Sequence, residues 1–159
     1  MEMKSKENYF RGIIPPPVTF ITLIILAFIA QRLHPINLIF DNFLSRFTIG
    51  TPILLISGVI AANALLIMRK YKTDINFHNP TTKFIIEGSF RYTRNPLYLS
   101  LLLVMGSAIL FSNSAWYFVS LILLFIFLNF GIVAREEKYL KEMFREEYTN
   151  YQKRVRRWI

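Results

Sequence analysis

Twenty-two consecutive residues, Phe47 to Met68, carry no charge, and this run constrains the chain more than any other feature. A helix needs about 20 mostly apolar residues to cross the hydrocarbon of a bilayer, and one with no polar face has no other good solvent. Three further apolar blocks stand between basic stretches: Val18–Leu33, Pro96–Phe111 and Ala115–Val133. The second and fourth blocks are long enough to span by themselves. The first can continue through His34-Pro35 towards Phe40 with a kink, because proline breaks the helical ladder. Ser112-Asn113-Ser114 has a turn composition, so blocks three and four are expected to form an antiparallel helical hairpin. The expected architecture is an all-α, polytopic membrane bundle forming a single domain. It has about four transmembrane helices (about 18–40, 47–68, 96–111 and 115–133), a cytoplasmic loop at 69–95 and an amphipathic C-terminal helix at 134–156.

Composition agrees with that reading. Hydrophobic residues make up 53% of the 159 and charged residues only 18%, where soluble domains carry about 25% charge. The absence of cysteine excludes disulfides, thiolate catalysis and thiolate-held metal. The net charge of +9 would suggest nucleic acid in a soluble protein, but its distribution argues otherwise. Of 19 basic residues, 17 lie before the first block, between the second and third, or after the fourth; only Arg32 and Arg46 fall in the alternate segments. The positive-inside rule then puts both termini and the 69–95 loop in the cytoplasm, and no nucleic-acid partner is expected. Glu2, Glu7 and Pro15–Pro17 before the first block, with no small-x-small site after it, make a cleaved signal peptide unexpected.

The groups capable of chemistry gather in 69–95 and 134–159. In Arg91-Tyr92-Thr93-Arg94-Asn95-Pro96-Leu97-Tyr98, Asn95 suits an N-cap and Pro96 a first helical position, so the third helix should start there. Its free amides, beside Arg91 and Arg94, suit an anionic group. A capped helix with snorkelling arginines and an interfacial tyrosine belt explains the same residues. Helix four leaves the membrane at Arg135-Glu136-Glu137. Beyond it Leu140, Phe144, Tyr148, Tyr151 and Val155 form an apolar stripe. The two glutamates fit a solvated helix face or a cation- or ribose-binding position. The Lys153–Arg157 tail is expected to touch anionic lipid headgroups. Asn63 and Asn129, within apolar runs, should face protein, and Gly58 with Ala62 is a weak helix-packing signal. His34 and His78 are isolated, and no metal-ligand grouping is found.

Gly88-Ser89-Phe90, Arg94-Asn95-Pro96-Leu97-Tyr98, Glu136-Glu137, Phe144-Arg145-Glu146-Glu147-Tyr148 and Arg154-Val155, in that order, resemble the integral-membrane methyltransferases. These are the isoprenylcysteine carboxyl methyltransferases and the related phospholipid methyltransferases, and the resemblance covers about residues 80–159. It implies S-adenosylmethionine as cofactor, bound on the cytoplasmic side, and a lipid-like or isoprenoid-type acceptor entering sideways from the bilayer, with membrane lipids as neighbours. It further implies that Thr82, Lys83, Phe84, Ile85, Phe90, Arg94 and the Asn95-Pro96-Leu97-Tyr98 turn line the pocket, which Glu136 or Glu137 completes. Ile132 stands where the prenylcysteine enzymes carry an arginine suited to a carboxylate, which leaves amine or other lipid acceptors open. A nicotinamide-dependent membrane reductase and a non-enzymatic four-helix membrane protein are the competing classes.

Overall fold

The computed structural model describes Gly12 and residues 14–38, 42–71 and 85–159. Helices account for most of the described backbone: α1 (Pro16–Leu33), α2 (Phe43–Lys70), α3 (Pro96–Ser112), α4 (Ala115–Ile126) and α5 (Ala134–Arg154). A 3-10 turn at Gly88–Arg91 precedes α3, and a π-helical stretch at Phe127–Val133 joins α4 to α5. Among the described residues there is no strand, only an isolated bridge between Asn37 and Ser114. The fold is an all-α membrane helical bundle. Three helical stretches, Pro16–Leu33, Phe43–Lys70 and Ala115–Arg154, are long and apolar enough to cross a bilayer, and Pro96–Ser112 is a shorter apolar helix. Large apolar side chains such as Ile25, Phe28, Leu55, Val59, Leu123 and Phe130 stand exposed along these helices. Water would penalise that surface, whereas lipid tails solvate it without cost.

The backbone contacts fall into two compact units. The first holds Ile14–Val59 and Tyr98–Leu128. In it α1 packs on α4, with the Ser120 hydroxyl donating to the Leu23 carbonyl (3.2 Å), while the Ser57 hydroxyl donates to the Ser100 carbonyl (2.9 Å). Ala27, Met105, Ile109, Leu124 and Leu128 are buried here. The close approach occurs at Gly50, where a Cβ would strike the Phe111 ring; at Gly58 a Cβ would meet nothing. The small-residue spacing at Gly58 and Ala62 therefore marks no close helix contact among the described residues.

Helix α1 stops at Leu33, so the expected continuation towards Phe40 is corrected: Ile36–Leu38 is non-helical, and residues 39–41 lie outside the described ones. Pro35 cannot extend the ladder. The strand-like segment instead bonds the α3–α4 turn, through Leu38 N–H to Asn113 O (2.9 Å) and Ala115 N–H to Ile36 O (3.0 Å). The turn itself follows its composition. Asn113 adopts φ 52°, and the Ser114 hydroxyl caps α4 by accepting from Trp116 N–H.

The second unit gathers the described residues of Ile60–Leu97 and Asn129–Ile159. Its core is Ala64, Ile85, Ile132, Val133, Tyr139, Tyr148 and Tyr151. Helix α5 is not continuous: Arg145 sits at φ 42°, ψ −112°, which no helix tolerates. That break resets the register of the apolar stripe. Before it Tyr139, not Leu140, is the buried position; after it Tyr148 and Tyr151 are buried as the spacing predicts. The helix ends at Arg154, two residues short of the expected 156, with Val155 extended.

Candidate functional site

The site begins with a backbone constraint. Gly88 takes φ 56°, and a Cβ there would collide with Ile67 and Asn63 of α2. The Asn63 side-chain oxygen accepts from Ser89 N–H at 2.7 Å. Phe90 N–H donates to Glu87 O, and the Tyr151 hydroxyl donates to Phe90 O at 2.6 Å. The segment before α3 is thus held by α2 on one flank and by α5 on the other. Helix α3 opens at Pro96, as expected.

The C-terminal tail then closes over this segment. Arg94 N–H donates to Arg156 O (3.1 Å), and the Arg157 carbonyl accepts from the Asn95 amide (2.8 Å) and the Thr93 hydroxyl (3.2 Å). The Arg157 guanidinium reaches inward. Its Nε and Nη2 donate to the two oxygens of Glu137 (3.0 and 2.6 Å), and its Nη1 donates to the Asn129 side-chain oxygen (3.1 Å). The Trp158 indole shares that Asn129 oxygen at 3.1 Å. The expectation of a tail spread on lipid headgroups is therefore corrected at Arg157: a carboxylate with 12% of its side chain exposed outcompetes the interface for it.

Glu137 also pairs with Arg94, Nη2 to Oε1 at 3.1 Å. Two guanidinium groups share one carboxylate, leaving a surplus positive charge. The Arg94 side chain is only 10% exposed, and its Nε and Nη1 are buried with no partner. A charged donor left without an acceptor in a low dielectric is expensive unless a ligand completes it. The Tyr148 phenol hydrogen-bonds Arg94; burial first, then the negative charge of Glu137, pushes its pKa up to about 12. Burial likewise raises that of Tyr151. The hydrogen bonds to Glu137 hold Arg157 more firmly in its charged form. Beside the pair opens a cleft of about 400 Å³ lined by Ala134, Glu137, Lys138, Lys141, Glu142 and Arg157.

Of the residues singled out in the sequence, Arg94, Asn95 and Glu137 come together in this cluster, and Pro96 is buried next to them in the chain. Ile85 is buried, and Phe90 contributes its carbonyl to the Tyr151 bond. Leu97, Tyr98 and Glu136 are partly buried, each with an interaction of its own. Thr82, Lys83, Phe84 and His78 lie outside the described residues. Sequence reasoning missed Arg157 and gave Asn129 no particular partner. Arg157 lies 20 residues from Glu137 and 28 from Asn129 in the chain, a separation at which periodicity carries no signal. The polar Asn129 inside an apolar run was the available clue.

Helices of bilayer length, with a buried arginine–glutamate–arginine cluster before the start of one of them, define an integral-membrane protein. The model of the phospholipid methyltransferase family matches residues 45–147, and the chain belongs to that family. It is a membrane methyltransferase with a lipid-like substrate. The match takes in α2, which the motif resemblance had left out, and stops before the tail. An uncharacterized protein of Haemophilus influenzae is 36% identical over 63 residues, 40% of this chain and all of that protein. No solved structure matches.

Proposed function

We propose that the chain transfers a methyl group from S-adenosylmethionine to a lipid-like acceptor at the cytoplasmic membrane face, with both termini cytoplasmic. The observation that carries this reading is Arg94, buried beside Glu137 with Nε and Nη1 unpartnered. These two charged donors, on different edges of the guanidinium, can each give a hydrogen bond to an anionic group such as an amino-acid carboxylate, and the adjacent N-terminus of α3 adds its positive dipole end. When bound, the cofactor supplies a methyl carbon on a positively charged sulfur, activated towards attack by a nucleophile.

The chain's own residues bind and orient. Arg94 and the start of α3 at Pro96 hold the carboxylate, and Glu136 or Glu137 faces the cationic or ribose part. Ile85, Phe90, Leu97 and Tyr98 offer apolar and aromatic surface to the sulfonium or adenine, and the family resemblance assigns Thr82, Lys83 and Phe84 to the same pocket. Catalysis then consists mainly of positioning in a water-poor site. The acceptor enters from the bilayer between helices. Ile132, fully buried, offers no charge to an acceptor carboxylate, which favours amine or other lipid acceptors.

Calorimetry on the detergent-purified protein tests the reading. The wild type should bind S-adenosylmethionine and S-adenosylhomocysteine, and Arg94→Ala should weaken both by about tenfold or more, the loss of a charge-assisted pair. Absence of wild-type binding at millimolar ligand sinks it, and binding of NADPH in its place would make the chain a reductase. A reporter fused after Ile159 should read as cytoplasmic; an extracytoplasmic signal overturns the orientation.

A further inference from the structure

Two arginines compete for Glu137, and they do so unequally. Arg157 takes both carboxylate oxygens, at 3.0 and 2.6 Å, while Arg94 has a single contact at 3.1 Å to one of them. A bidentate fork is the preferred arrangement of a guanidinium on a carboxylate. Without Arg157, Glu137 would be free to turn its second oxygen onto Arg94. One of the two Arg94 nitrogens that are now open would be consumed by completing the fork, and the site would become a neutral pair.

We infer that Arg157 is a positioning residue: by occupying Glu137 it keeps two nitrogens of Arg94 open for an anionic ligand. The inference rests on the Arg94 subsite proposed above and adds a residue that lies outside the family match at 45–147.

Several bonds fix the Arg157 side chain for this task without depending on its charge. The backbone of the tail is tied to three successive motif residues, through Arg156 O to Arg94 N–H and through Arg157 O to the Asn95 amide and the Thr93 hydroxyl. The Trp158 indole anchors the tail to Asn129, the same oxygen that receives Arg157 Nη1. These contacts leave the tail in place when the guanidinium is removed. The surplus positive charge then disappears from the site while its walls remain. The consequence falls on the anionic part of a ligand and spares the rest.

That distinction gives the test. Binding of S-adenosylhomocysteine, which carries the amino-acid carboxylate, is compared with binding of 5′-methylthioadenosine, the same nucleoside thioether without it, on the full chain in detergent. Arg157→Ala is expected to weaken S-adenosylhomocysteine by about tenfold, the scale of one charge-assisted hydrogen bond, and to change 5′-methylthioadenosine by less than about twofold. Arg157→Lys, whose ammonium is a point charge and cannot fork both oxygens, should fall between wild type and alanine for the first ligand alone. Equal losses for the two ligands would assign Arg157 a merely structural role and overturn the inference, as would unchanged S-adenosylhomocysteine binding in both variants. A wild type that binds 5′-methylthioadenosine but gains nothing from the amino-acid portion removes the Arg94 subsite itself. A wild type that binds neither ligand removes the cofactor reading, and the inference with it.

Discussion

Two regions of this molecule close a chain segment with side-chain hydrogen bonds, and they do so with opposite chemistry. In the unit containing α1 and α4 the closure is neutral. The Gln31 side-chain oxygen accepts from the Ser114 hydroxyl (2.7 Å) and from Ile36 N–H (3.3 Å), its amide donates to Asn37 Oδ1 (2.9 Å), and the Trp116 indole donates to His34 O (2.7 Å). Within this closure the orphaned atom is Asn113 Oδ1, an uncharged acceptor; Arg46 Nε, elsewhere in the unit, also lacks a hydrogen-bond partner. In the unit containing α5 the closure is ionic, and the orphans within the closure are two nitrogens of a buried guanidinium. An under-used carbonyl oxygen costs little, whereas an under-used buried cation costs several times more. A neutral staple is finished when the chain has folded. The ionic clasp is left charged, with two of its donors unpartnered.

The sharpest way to break this comparison is to remove the shared carboxylate. Glu137→Ala leaves Arg94 buried without the carboxylate it pairs with, and the loss of one partner from a buried pair costs about 3–5 kcal/mol. A thermal shift in detergent should show a large destabilisation. If the midpoint moved no more than for a surface substitution, the clasp would be incidental to the fold. The next effect concerns the backbone beneath the clasp. Gly88→Ala adds a Cβ that meets Ile67 and Asn63 at a positive φ, and crowding with backbone strain should cost about 1–3 kcal/mol. The same substitution at Gly58, where nothing lies near, should be neutral or slightly stabilising, since alanine is the better helix former. Equal behaviour of the two variants would contradict the close approach at Gly88.

The neutral staple should respond more weakly. Ser114→Ala removes both the cap on Trp116 N–H and the donor to Gln31, and caps of this kind are worth about 1 kcal/mol. Its cost should also be insensitive to pH and to added cofactor. Ligand-dependent stabilisation acts through whichever groups touch the ligand, so S-adenosylmethionine should raise the midpoint of Ser114→Ala by as much as that of the wild type. A loss of that increment would mean the staple takes part in binding.

The contrast also explains what was legible in the sequence. The hairpin turn was, because Ser112-Asn113-Ser114 has the composition that a left-handed residue and an N-cap require, and Asn113 and Ser114 take those roles. The start of α3 was, because proline at the first helical position has a local cause. Arg94, Asn95 and Glu137 were found through motif resemblance, and they meet in one cluster. Three features were hidden. The π-helical stretch Phe127–Val133 that carries Asn129 includes Asn129 and Gly131, both poor helix formers, yet isolated residues of that kind do not specify a π turn. The break at Arg145 places a non-glycine residue at positive φ, against its intrinsic preference. The return of the tail depends on Arg157 meeting Glu137 and Asn129 across a fold that must already exist. Its basic composition pointed instead to lipid, because charge reports what a segment can bind and says nothing of how far it must travel.

The smallest expected effect tests whether the clasp behaves as an electrostatic unit. Tyr148 donates nothing to the charge balance at neutral pH, since burial and the neighbouring Glu137 hold its pKa up at about 12. Its ordinary value in the unfolded chain is about 10. The folded state therefore binds the proton more tightly than the unfolded state, so the stability this adds is complete below pH about 10 and is lost as pH rises towards 12. Tyr148→Phe keeps the buried ring and removes the hydroxyl that hydrogen-bonds Arg94. At neutral pH it should cost about 1 kcal/mol, an ordinary net hydrogen bond. Above pH 10 the difference from the wild type should shrink, because the phenylalanine variant has no proton to lose. Thermal midpoints of both proteins measured at half-unit steps from pH 8 to 11 would show the curves converging. A constant offset through that range would mean Tyr148 titrates as it does in water, and that Glu137 spends its charge on the two arginines alone.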